Sequence, residues 1–151
     1  MKRFILVIPL LVAVIASSTQ MKASPMPCSA VLEPVNQKLK NAKGAALIYK
    51  VRLYPPSAFA RTNMSILAVH LPQPSSYGSY DGYEGFAAKT GEISWRFKLY
   101  PTPEGESPNW AGRIDSISAE MTNVKVQVRL SNSKTQKLGP SVLTNNIQSC
   151  Y

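Results

Sequence analysis

Downstream of residue 44 the chain alternates apolar and polar positions, the two-residue period of strands with one buried face. Leu47, Tyr49, Val51 and Leu53 share one phase, with Lys50 and Arg52 between them. Ile93, Trp95, Phe97 and Leu99 alternate with Ser94, Arg96 and Lys98; Val124, Val126, Val128 and Leu130 alternate with Lys125, Gln127 and Arg129. Residues 64–71 are apolar almost throughout and predict a strand buried on both sides. Between Arg113 and Met121 the phase slips. Ile114 and Ile117 cannot share one face of an unbroken strand, so a bulge is expected near Asp115 and Ser116. A last strand is expected over residues 141–147. Prolines at 55, 56, 72, 74 and 101 end the runs, and the intervening loops are rich in Gly, Pro, Ser and Asn.

Before residue 44 the period differs. Val31, Leu32, Val35 and Leu39 stand at near-helical spacing, with Pro34 early and Gly44 as a stop, which predicts a short amphipathic helix or turn. The fold class expected is all-β: a single β-sandwich, immunoglobulin-like or jelly-roll in kind, with that short N-terminal helix. A small β-barrel is the main competitor. Residues 49–55 and 95–101 both run aromatic, base, apolar, base, Leu, Tyr, Pro. Either an old duplication or convergent strand patterning accounts for the likeness.

The first residues carry Lys2 and Arg3, followed by an apolar run over 4–16 broken only by Pro9 and then by Ala16-Ser17-Ser18. A membrane-spanning helix needs about 20 apolar residues, so this run is short for a span but suits the core of a signal peptide. Cleavage after Ala16, Ser18 or Ala23 fits the small-residue rule, although Met21 is bulky for the last. The domain plan is thus a signal peptide over 1–23 and one mostly-β domain over 24–151. A buried N-terminal helix is the alternative, and the charged start and abrupt small-residue exit argue against it. Cys28 comes too long after the apolar run for a lipid-anchor site. No second run has membrane length. The expected location is secreted, outside the cell, with periplasmic and cell-surface placement left open.

Two cysteines, Cys28 and Cys150, stand near the two ends of the expected mature chain. In an exported protein such a pair is expected to form one internal disulfide. The full sequence has 17 basic and 8 acidic residues, for a net charge of +9; without Lys2, Arg3 and Lys22 it has 14 against 8. Such a balance attracts anionic polymers, phospholipid headgroups, nucleic acid or acidic partners.

Alternation sends Lys50, Arg52, Arg96, Lys98, Lys125 and Arg129 away from the core. On a shared sheet they would form a positive stripe for an anionic polymer, with few acids on these strands to neutralise it. The plainer alternative is a solvated outer face that discourages edge pairing. Tyr77, Tyr80 and Tyr83 recur at three-residue spacing in a Ser- and Gly-rich loop, an arrangement suited to contacts with sugars or proteins. Trp110 follows Glu104 and Glu106 on a second long loop, as a carbohydrate platform or as a cap on the core.

Catalytic signals are sparse. His70 is the single histidine and sits in the apolar run, where a core histidine is expected. Ser65 and Ser75 lack a nucleophile-elbow context. No metal or cofactor motif is present, so neither is expected. The function expected is a secreted, non-enzymatic β-sandwich that binds or inhibits an extracellular partner: an anionic polymer, a polysaccharide or a protein. The alternatives are a small extracellular hydrolase using the carboxylates of Glu104 and Glu106, and a structural or matrix protein.

Overall fold

The computed structural model describes residues 26–51, 61–103 and 107–150. The polar-apolar alternation folds into eight antiparallel strands: β1 (Cys28–Pro34), β2 (Lys43–Val51), β3 (Arg61–Val69), β4 (Gly82–Lys89), β5 (Ile93–Pro101), β6 (Trp110–Ile117), β7 (Met121–Asn132) and β8 (Lys137–Cys150). They close into a barrel in the order β1-β2-β3-β6-β5-β4-β7-β8. The all-β class therefore holds, and of the two architectures the sequence leaves open the protein adopts the barrel. Two seams make the difference. β1 meets β8 through only two paired positions, Glu33 with Thr144 and Pro34 with Leu143. β5 meets β6 through two more, Tyr100 with Ala111 and Pro101 with Trp110. Without those seams the strands would part into two four-stranded walls.

The first seam has further ties. Val35 N–H donates to the Val142 carbonyl at 3.1 Å. The Asn145 amide reaches the Val31 carbonyl at 2.5 Å. At the far end of the same seam Cys28 and Cys150 form a disulfide across 122 residues, with Cα atoms 6.2 Å apart.

Inward side chains fill the barrel. Leu32, Ile48, Met64, Ile66, Val124, Val126, Val128, Leu130 and Leu143 are each at most 1% exposed. An eight-stranded barrel is about wide enough for its own side chains, and each such burial contributes about 1.5–3 kcal/mol. Among the described residues no helix is long and apolar enough to cross a membrane.

Several local expectations change. The segment expected to be helical is strand β1 followed by one 3₁₀ turn, Gln37–Leu39, because residues 28–32 pair with β2 as a hairpin. β2 has the opposite phase to the one expected. Gly44, Ala46 and Ile48 face inward, while Leu47 is 44% exposed. The reason is space: a Cβ on Gly44 would lie 3.0 Å from Leu143 Cδ1 and 3.3 Å from Leu32 Cβ. Leucines from β1 and β8 occupy the interior here, so β2 contributes small residues.

Tyr49 consequently faces outward, where its hydroxyl is 3.3 Å from Ser65 Oγ, whereas Trp95 packs against the core. At their first residues the two similar segments thus turn opposite faces to the interior; residues 52–55 lie outside the described residues. β3 is buried on one side only, since Leu67 is 47% exposed. His70 lies beyond β3, exposed and at φ 54°, rather than in the core.

The bulge in β6 occurs as expected. Thr62 pairs with Ile117 but Met64 pairs with Ile114, so β6 carries one extra residue, and Ser116 adopts φ 69°. Asn63 holds the bulge in place. It donates to Asp115 Oδ1 at 2.6 Å and accepts from the Ser116 N–H at 3.2 Å.

Candidate functional site

Outward positions of β5, β4 and β7 form one wall, and its rungs follow from the register. Lys98, Glu84 and Arg129 lie side by side. The next rung holds Arg96, Phe86 and Gln127, and beyond it lie Ser94, Ala88 and Lys125. Strand spacing puts Lys98 and Arg129 roughly 10 Å apart at the backbone.

Glu84 is the wall's carboxylate, and its residue is 5% exposed. Arg96 grips it with both arms of the guanidinium: Nε to Oε2 at 2.6 Å and Nη2 to Oε1 at 2.9 Å. Two-pronged charge-assisted bonds of this kind are strong and fix orientation. The hydrogen bond to Glu84 also raises the Arg96 pKa, so the group stays charged throughout the accessible range. Its Nη1 and Nη2 reach the Gln136 carbonyl at 3.3 and 3.4 Å, tying the wall to the β7–β8 turn.

Arg129 is braced differently. Nε donates to the Gly139 carbonyl at 2.9 Å and Nη1 to Gln127 Oε1 at 3.2 Å. Its Cζ lies 5.4 Å from the Phe86 ring centroid, within range of a cation–π contact. Among the described residues Lys98 and Lys125 have no ion-pair partner. The wall therefore combines two fixed guanidiniums with two exposed lysines.

Four of the six residues expected to form the stripe, Arg96, Lys98, Lys125 and Arg129, lie on this wall. Lys50 belongs to β2, across the barrel, and follows the inward phase to the strand's end, because β2 is out of phase with the expectation. Arg52 lies outside the described residues. Part of the neutralisation comes from the neighbouring strand β4, whose Glu84 pairs with Arg96. Alternation does not place Glu84 and Phe86 on this wall, because β4 is not expected as a strand. The alternation of Tyr83, Gly85 and Ala87 between Gly82 and the Thr90-Gly91 turn is the signal that reveals it.

The aromatic residues separate into two groups. Tyr83 is in the core, 1% exposed, with its hydroxyl donating to the Pro72 carbonyl at 2.7 Å. Its ring meets Trp110 edge-on, with centroids 5.0 Å apart and planes at 77°, and burial raises the phenol pKa. Trp110 is 8% exposed and caps this end of the core. Tyr80 is half-buried with its ring against Gly139, and Tyr77 is exposed at the end of a 3₁₀ turn. The three tyrosines therefore do not share one exposed surface, and Trp110 takes the position of a cap on the core, because packing at the barrel end draws Tyr83 and Trp110 inside.

Beside them opens a cleft of about 460 Å³, walled by Leu71, Pro72, Pro74, Tyr80 and Pro101, with Trp110 also lining it. Asp81 stands at its edge, accepting from Ser133 N–H at 2.8 Å and Ser133 Oγ at 2.5 Å. Those bonds hold its pKa below the usual carboxylate value. Glu104 and Glu106 lie outside the described residues. Among the described residues no group of three or more His, Cys, Asp or Glu side chains gathers to hold a metal ion.

The family model described as "SPbeta prophage-derived uncharacterized protein YoqH" matches residues 24–151 of this chain. A Bacillus subtilis (strain 168) protein of the same description is similar to it, with 76% identity over 151 residues and complete coverage of both chains. No solved structure matches the chain.

Proposed function

The chain belongs to the YoqH family, and we propose that it is an exported, non-enzymatic binding domain for an anionic polymer outside the cell. The observation that carries this reading is the wall of β5, β4 and β7, where Arg96, Lys98, Lys125 and Arg129 surround a single carboxylate, Glu84. The two arginines are held by internal bonds, so little side-chain entropy is lost when a phosphate or sulfate approaches them. Lys98 and Lys125 contribute mobile charge at either end. The barrel interior is occupied by its own side chains, which directs binding to the outside.

Export is supported by the charged start and apolar run of residues 2–16, by a disulfide of the kind that persists in oxidising compartments, and by a family match that starts at residue 24. The relative's name ties it to the SPbeta prophage, so we take this chain to be a prophage-type product acting beyond its host's membrane. N-terminal sequencing of secreted material tests export, with Ser17, Thr19 or Ser24 expected as the first residue.

Binding is tested by titrating fluorescent long-chain polyphosphate, with neutral dextran as control. The polyphosphate is expected to bind and the dextran not, with affinity falling about tenfold or more between about 50 and 200 mM salt as counterion release weakens. No binding to the polyanion at low salt would refute the reading.

A further inference from the structure

The loops after β3, β5 and β7 gather at one end of the barrel, and two hollows meet there. The cleft of about 460 Å³ shares Asp81, Pro101 and Trp110 with a smaller hollow of about 270 Å³. The smaller one lies over Gly82, which pairs with Ser131 and leaves the outer face without a side chain at that point. Tyr100, 65% exposed, stands on the β5 side, and Lys98 and Glu84 of the basic wall complete the lining. The two hollows thus form one groove from the barrel end to the basic wall.

Its walls are fastened from within. Asp81 N–H donates to the Ser131 carbonyl at 3.0 Å, and the Asn132 amide donates to the Ser79 carbonyl. On the β5–β6 loop Thr102 N–H donates to the Asn109 carbonyl at 2.8 Å, and Asn109 N–H returns to Thr102 Oγ1 at 3.1 Å. A groove held this way needs little ordering when a ligand enters. Its charges are divided along its length. Glu84 is answered by Arg96, so Lys98 is the cation of the hollow. Asp81 is exposed, and Ser133 takes one bond on each of its oxygens, leaving lone pairs on both for a ligand hydroxyl. The same carboxylate repels anions. Asp81 and Glu84 are three residues apart, roughly 10 Å at strand rise, so carboxylate and ammonium meet different parts of a ligand.

We propose that this groove is a sugar subsite: a neutral sugar lies in the cleft with its hydroxyls on Asp81, while Lys98 holds an anionic group farther along the same polymer. The proposal rests on the polyanion-binding reading of the wall and narrows its ligand to an anionic polysaccharide whose charged groups are separated by neutral sugars. A sugar offers an apolar C–H face and a polar hydroxyl edge. The cleft answers with Leu71, Pro72, Pro74 and the Tyr80 ring on its walls and a carboxylate at its edge. A bare phosphate chain has nothing neutral to set beside Asp81, and an uncharged glucan has nothing for Lys98.

Fluorescent hyaluronan, in which charged and neutral sugars alternate, tests this when titrated beside polyphosphate at about 50 mM salt. The parent is expected to bind both. Asp81→Asn should weaken hyaluronan binding about tenfold or more, as hydrogen bonds to a charged acceptor are lost, without weakening polyphosphate binding. Tyr100→Ala should weaken hyaluronan about threefold or more and leave polyphosphate unchanged. Lys98→Gln should weaken both. Thermal melting of each variant checks that the fold persists. In NMR spectra of the parent the Trp110 indole N–H signal should shift with hyaluronan and stay in place with polyphosphate. Polyphosphate binding without hyaluronan binding leaves the wall standing and overturns the sugar subsite. Hyaluronan binding that survives both Asp81→Asn and Tyr100→Ala overturns it as well. A parent that binds neither polymer overturns wall and subsite together.

Discussion

Cys28 and Cys150 are bonded at the open end of the β1–β8 seam, where the strand ladder itself is unpaired. The backbone pairs closing that seam, at Glu33 and Pro34, stand near the opposite end. The disulfide therefore finishes a closure that the ladder begins. It also closes a loop spanning 122 residues. On the chain-entropy account a loop of that size is worth about 4–5 kcal/mol. Cys28→Ser with Cys150→Ser is expected to lower unfolding stability by an amount of that order, read from urea denaturation with and without reductant. Reductant should shift the parent strongly and the double variant hardly at all.

The other thin seam depends on a glycine. A Cβ at Gly112 would lie 2.3 Å from the Lys98 carbonyl oxygen and 2.9 Å from Leu99 Cδ2. Backbone cannot yield as a flexible side chain can, so β5 and β6 must separate to admit even a methyl group. Gly112→Ala is expected to cost about 1–3 kcal/mol or more by overpacking. Amide hydrogen exchange should show the loss of protection concentrated at Tyr100 and Ala111, the seam's paired positions. Equal protection in variant and parent would contradict this role for Gly112.

Much of the fold is legible in the residue pattern. β5 and β7 carry clean alternation, and the phase slip between Ile114 and Ile117 announces the bulge. What misleads is the closure of the walls. A flat-sheet view places the larger residues of β2 inside, whereas the closed interior already holds Leu32 and Leu143 and leaves room for Gly44, Ala46 and Ile48. The two-pair seams are equally hidden, because nothing local in Pro34, Pro101 or Trp110 specifies a long-range partner. The outward placement of Arg96, Lys98, Lys125 and Arg129 is legible from alternation alone. Glu84 is not placed on the wall because its strand is not expected, and Tyr83 and Trp110 are drawn into the core where the starts of β4 and β6 bring their rings into contact.

Tyr83 gives the barrel an alkaline limit. Its hydroxyl is buried against the Pro72 carbonyl, and burial raises its pKa. The unfolded chain releases that proton near an ordinary tyrosine value of about 10, while the folded protein retains it. The stabilisation is complete below pH about 10 and is lost as pH rises beyond it. Tyr83→Phe is expected to be less stable at neutral pH by about 0.5–1.5 kcal/mol, the worth of one hydrogen bond. The gap between parent and variant should shrink above pH about 10, as measured by urea denaturation across that range. A gap independent of pH would mean that Tyr83 ionises equally in both states.

The most direct measurement of the account's central claim is the salt dependence of polyphosphate binding in a Lys98→Gln, Lys125→Gln, Arg129→Gln variant. These residues share the basic wall, and their charges contribute little to folding, so thermal stability should drop by no more than about 1–2 kcal/mol. Each phosphate contact removed should flatten the plot of log affinity against log salt by about 0.7 on a single-stranded polyanion. The account predicts a slope shallower by about 2, with affinity at low salt falling at least about tenfold. A slope and affinity equal to the parent's would contradict it and remove the wall from the binding surface.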